Sequence, residues 1–244
     1  MSLSGIIDMV TSFGTDPTRS VDWGVAELLA ILERHEVERA YAHSLRAVHY
    51  AGPEGNDETL RACAEHEVLE PVATLDPRRY FDAHEEARRR FEQGCRVFRF
   101  FPDVQGWPLE LLPFVKICET LAELGARAIV PARSYGEATR VAERLAHLEL
   151  PVLLIGGRYT NIGELLAVMA EFPNVYCDGH AQNSPYALEL IMQQCGEGRV
   201  MFGSDSPMRE FLPPLLMARH AEITDEQRRR YLHDNAFAFV GEGA

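Results

Sequence analysis

The chain has 244 residues, 46% of them apolar, which is enough to bury a full core in one α/β domain spanning residues 1–244. A formal net charge of −13 and a pI near 5.1 set its field against nucleic acid and anionic membrane alike, so the expected partner is a small molecule. Five cysteines without Cys-x-x-Cys spacing, no apolar run of the ~20 residues that a membrane span needs, and no leader-type opening together predict a cytoplasmic protein with reduced thiols.

Short apolar or β-branched runs alternate with longer amphipathic ones. The first strand is read over Ile6–Val10, and Val25, Leu28, Leu29 and Leu32 follow at helical spacing. Further strands are read over Arg39–His43, Glu70–Leu75 and Cys95–Phe101. The last of these precedes a Pro- and Gly-punctuated loop with Gln105 and Trp107, read as a lid. Next come a helix through Leu109, Leu112, Val115 and Leu121, a strand over Ala126–Pro131, and a helix through Ala138, Val141 and Leu145. A capping-box pattern at Ser134–Glu137 opens that last helix. The remaining strands fall over Pro151–Ile155, Asn174–Asp178 and Arg199–Ser204. A second capping box, Thr224–Gln227, starts a final helix to about Val240. Eight strands with interleaved helices predict a (β/α)8 TIM barrel with an extra C-terminal helix. An open doubly wound sheet is the competing architecture, but it wants a Gly-rich phosphate turn where Thr11-Ser12-Phe13-Gly14-Thr15 stands.

In such a barrel the chemistry gathers at the C-terminal strand ends. These deliver Ser12, His43 with Arg46, Arg99 with Asp103, Arg133, Arg158, Asp178 with His180, and Asp205. Three or four arginines beside two histidines and a carboxylate suit a bound anion. They do not suit a metal cage, because guanidinium is always charged and has no lone pair to give. Arg99 alternates with Phe98 and Phe100, which predicts that it points into the barrel and needs a partner, either Asp205 or a ligand carboxylate. Each residue also has an ordinary reading. Asp205 fits a helix cap, Arg133 and Arg158 fit exposed loop positions, and His43 and His180 fit loop hydrogen-bonders. Tyr159 is a weaker candidate for the wall. Lys116 is the sole lysine, so a Schiff-base or carboxylated-lysine role would fall on a mid-helix residue.

Four segments carry a resemblance over nearly the whole chain: Ile6-Ile7-Asp8 with Phe13-Gly14, Gly94 to Pro102, Phe172 to Asp178, and Met201 to Pro207, closed by Asn235-Ala236. In this order and spacing they resemble the amidohydrolase-related family of TIM-barrel hydrolases. The resemblance implies one divalent metal held by His-x-His on the first strand, histidines on the fifth and sometimes the sixth, and the Asp of the eighth. Of these ligands only Asp205 is present. Val10 and Ser12 stand at the His-x-His positions, and neither Ile129–Arg133 nor Leu154–Arg158 contains a histidine. The expectation is therefore no metal cofactor, with zinc disfavoured. The leading reading is a metal-independent hydrolase of a small, carboxylate-bearing anion. In it Asp205 is the general base, His180 or His43 moves a proton, and Arg99, Arg133, Arg158, His43 and Ser12 bind substrate. Two alternatives stay open. One is an inactive barrel that binds an anion or a partner; the other is a metal-dependent hydrolase or decarboxylase whose ligands have moved to His43, Asp178, His180 and Asp205. Homodimers are common among such barrels.

Overall fold

The computed structural model describes residues 5–182 and 184–241, so the ends of the expected domain and Asn183 lie outside the described residues. Nine strands form one sheet: β1 (Ile6–Asp16), β2 (Val21–Trp23), β3 (Val37–Ser44), β4 (Leu69–Thr74), β5 (Val97–Arg99), β6 (Arg127–Pro131), β7 (Val152–Ile155), β8 (Val175–Asp178) and β9 (Val200–Met201). Their order is β2-β1-β3-β4-β5-β6-β7-β8-β9, and every neighbouring pair from β1/β3 onward is parallel. The sheet closes on itself. Met9 N–H donates to Phe202 O (3.1 Å), Asp205 N–H to Val10 O (2.8 Å) and Ser12 N–H to Ser206 O (2.9 Å), joining the last strand to the first. The predicted (β/α)8 barrel is the fold observed.

Strand alternation sorts side chains into two layers. Ile7, Met9, Val10, Tyr41, Val72, Val97, Ile129, Leu153, Ile155 and Met201 fill the barrel interior, while Phe98, Phe100, Leu154 and Phe202 pack outward against the helices. On β5 this puts Val97 inside, Phe98 outside and Arg99 at the interior rim. The final helical stretch is needed for closure at the other end. Ala236, Phe239 and Val240 join the interior cluster, and the Asn235 side-chain amide donates to Glu197 O (2.6 Å) and Val200 O (2.7 Å).

Two local expectations differ from the structure. The first strand runs on to Asp16 and turns back as an antiparallel hairpin, with Gly14 opposite Trp23. The Asp16 carboxylate fastens that turn, accepting from Thr18 N–H (2.8 Å) and Thr18 Oγ1 (2.6 Å). Gln105 and Trp107 do not form a lid. Trp107 is buried against Phe100 and Phe114, and its indole N–H donates to Gln105 Oε1 (2.9 Å). Among the described residues, no helix is long and apolar enough to cross a membrane.

Candidate active site at the barrel mouth

Asp205 is held by the closing seam. Its own N–H is bonded to Val10 O, and its backbone sits in the left-handed region (φ 58°), a conformation that Asp tolerates better than most residues. Three basic side chains surround its carboxylate. Arg99 Nη2 lies 3.5 Å from Oδ1, Arg209 Nε lies 3.5 Å from Oδ2, and His180 Nε2 lies 4.0 Å from Oδ2. Gly203, two residues earlier, has no room for a side chain: a Cβ there would stand 2.8 Å from Val10 Cγ2 and 3.2 Å from Asp178 Oδ2.

His180 is oriented from behind. Its Nδ1 is hydrogen-bonded to Asp178 Oδ2, and Asp178 Oδ1 accepts from Gly156 N–H (3.1 Å). Burial alone would push the His180 imidazole down, but the Asp178 charge and hydrogen bond, with Asp205 beyond them, raise it above its ordinary value. That shift favours the imidazolium more than in a free histidine, and Nε2 faces Asp205 with no hydrogen-bond partner among the described residues.

Arg99 and His43 form the opposite wall. Arg99 is buried, with its guanidinium 4.8 Å from the Phe101 ring centroid, and His43 stacks obliquely on the same ring at 5.1 Å. Burial, and then the Arg99 charge, hold His43 well below its ordinary range, so it is neutral. Neither of its ring nitrogens has a hydrogen-bond partner among the described residues. A neutral imidazole with one donor and one acceptor free is suited to a polar ligand.

These groups line a cavity of about 390 Å³ that contains Ser12, His43, Arg99, Arg133 and Asp205. Five of the seven residues singled out in the sequence are thus brought to one place. Arg133 stands at its edge, ion-paired with Asp103. His180 and Arg158 line an adjoining chamber of about 710 Å³, and Arg158 itself is exposed. Sequence reasoning did not single out Asp16, Arg19 and His49 in the inner cavity, or Trp23 and Arg209 in the outer one. Asp16 and Trp23 arrive through the hairpin, and Arg209 through an i, i+4 relation to Asp205 that a charge-pattern reading could have caught.

Asp8 lies beneath the site, wholly buried. Its Oδ1 accepts from Val10 N–H (3.0 Å) and Ser204 N–H (2.9 Å), while Oδ2 has no partner among the described residues. Burial pushes this carboxyl up to about 7, against the opposing pull of Ser204, Val10 and His180.

The donors available to a metal are few. His180 Nε2 and Asp205 Oδ2 face one another, but among the described residues no three His, Cys, Asp or Glu side chains are grouped to hold an ion. A zinc-type site takes three or four protein ligands, and Val10 offers no donor at its His-x-His position. The described residues therefore do not make up a complete metal site.

Solved structures with this architecture include 2,6-dihydroxybenzoate decarboxylase from Rhizobium, at 14% identity and a TM-score of 0.77 over 98% of this chain and 99% of that one. Dihydroxybenzoic acid decarboxylase from Polaromonas, with bound manganese and 2-nitroresorcinol, matches at 13% identity and a TM-score of 0.79 over 98% and 97%. 5-Carboxyvanillate decarboxylase from Novosphingobium aromaticivorans, with manganese and 4-hydroxy-3-methoxy-5-nitrobenzoic acid, matches at 14% and 0.77 over 98% and 97%. The manganese in two of these barrels overturns the expectation of no metal cofactor, which was drawn from the missing histidines and the arginine-rich mouth. No curated protein sequence matches the chain. The sequence profile described as Amidohydrolase matches residues 22–241, and the chain belongs to that family.

Proposed function

We propose that this protein is an enzyme that removes CO2 from a small carboxylate at the barrel mouth. The observation that carries the reading is the array around Asp205: a buried guanidinium near one oxygen and an Asp-oriented imidazole facing the other. The decarboxylases of the same fold support carboxylate chemistry in preference to hydrolysis. In this scheme Arg99, with Arg133 at the edge, binds the substrate carboxylate, and neutral His43 and Ser12 hydrogen-bond its polar substituents. Asp205 and His180 together hold the proton that is delivered. The bond from carbon to the carboxylate breaks, its electron pair stays on that carbon, the proton from the Asp205–His180 pair joins it, and CO2 leaves. Proton delivery by a positioned side chain contributes about 10² to 10⁴ in rate.

The test is CO2 release from a panel of hydroxybenzoates and short diacids, run with and without added manganese. Release is expected, and Asp205→Asn should lower it about 10³-fold while substrate still binds. Asn is the right replacement because it also tolerates φ 58° and keeps the shape of the side chain. Full activity in that variant, or hydrolysis of lactones and esters with no CO2 released from any acid, would sink the proposal.

A further inference from the structure

The inner cavity of about 390 Å³ is large enough for a ring-sized acid, and of the 710 Å³ chamber beside it the reaction above uses His180 alone. The two are joined at the reacting pair. Asp205 lines the inner cavity and His180 the outer, their facing atoms are 4.0 Å apart, and Met208 lines both. The outer chamber therefore borders a substrate seated at Asp205.

The walls of that chamber have a definite chemistry. Trp23, brought in by the β2 hairpin, and Tyr159, 56% exposed, supply aromatic surface. Besides His180 and Tyr159, its ionisable groups are Arg158, Arg209 and Glu210. Arg209 is engaged with Asp205, whereas the Arg158 guanidinium is exposed and has no carboxylate partner among the described residues. A guanidinium without a carboxylate partner beside aromatic surface fits an anionic group carried on an apolar arm.

We infer that the outer chamber takes a second acid group, so that the substrate is a dianion whose two acid groups are separated by a spacer. This rests on the reading that the reacting carboxylate sits at Arg99. The second acid meets Arg158, and the spacer crosses Trp23 and Tyr159. A substrate of this class would come from a reaction that leaves an acid side arm on a ring or chain already bearing a carboxylate.

The test is calorimetric affinity for benzoate and for 3-(2-carboxyethyl)benzoate, which adds a second carboxylate on a two-carbon arm. Wild type should prefer the diacid about fivefold, the scale of an exposed ion pair. That ratio should fall to near one in Arg158→Gln and below one in Arg158→Glu. A wild-type ratio near one, a preference that survives both variants, or no binding of either acid would overturn the inference. The decarboxylase reading is measured separately by CO2 release. If Arg158 controls the affinity ratio but no acid loses CO2, the chamber assignment stands and the reaction is wrong. If CO2 is released but the ratio stays flat, the reverse holds.

Discussion

At the scale of single residues, Arg99 sets the charge balance of the mouth. It faces Asp205 at 3.5 Å and lies close enough to His43 to help hold that imidazole neutral, second only to burial. Its own guanidinium is pulled down by burial, against the opposing Asp205 charge, but stays a cation as arginine does in proteins. Arg99→Gln removes the cation and keeps a polar side chain. Two outcomes are expected. The His43 titration followed by NMR should move upward, toward but not reaching its ordinary value, because burial remains. Turnover should fall about 10²- to 10³-fold, the scale of removing one charge-stabilising donor. An unmoved His43 titration would mean that burial alone keeps it neutral, and unchanged turnover would remove Arg99 from the chemistry.

At the scale of elements, all eight barrel strands were legible in the sequence, because β-branched runs at regular spacing read clearly when helices of period 3.6 separate them. The strand ends were legible for the same reason, which is why Ser12, His43, Arg99, Arg133 and Asp205 could be placed at one mouth from order alone. What stayed hidden depends on tertiary context. The three-residue strand Val21–Trp23 exists only because β1 continues to Asp16 and pairs with it. Asp8 read as part of an apolar strand, and only the closed seam turns it into an acceptor for β9 backbone. Trp107 misled in the opposite direction: loop punctuation suggested a lid, yet its ring is 5% exposed and packs edge-on to Phe100. Trp107→Ala tests that correction. A core position predicts a loss of about 3 to 5 kcal/mol by denaturant unfolding, whereas a lid residue would leave stability nearly unchanged and alter substrate binding instead.

At the scale of the whole molecule, the barrel depends on one seam, where the two-residue strand β9 must meet β1. Asp8 lies across that seam and binds an N–H from each side, Val10 and Ser204, through a single oxygen. The arrangement has a cost that depends on pH. The unfolded chain ionises this carboxyl near 3.8, whereas burial keeps it protonated in the folded barrel up to about 7. Between those values the native state binds one more proton than the unfolded state, so stability must fall as pH rises through the window and level off above it. Raising the carboxyl from 3.8 to about 7 corresponds to a loss on the order of 4 kcal/mol across that range. Asp8→Asn keeps an acceptor oxygen for both N–H groups and does not titrate. Denaturant unfolding at a series of pH values should therefore show the wild type losing stability relative to Asp8→Asn from about pH 4 to pH 7, with a constant gap above. Parallel curves would mean that Asp8 is ionised in the folded barrel, held by the two N–H donors and the His180 charge strongly enough to overcome its burial.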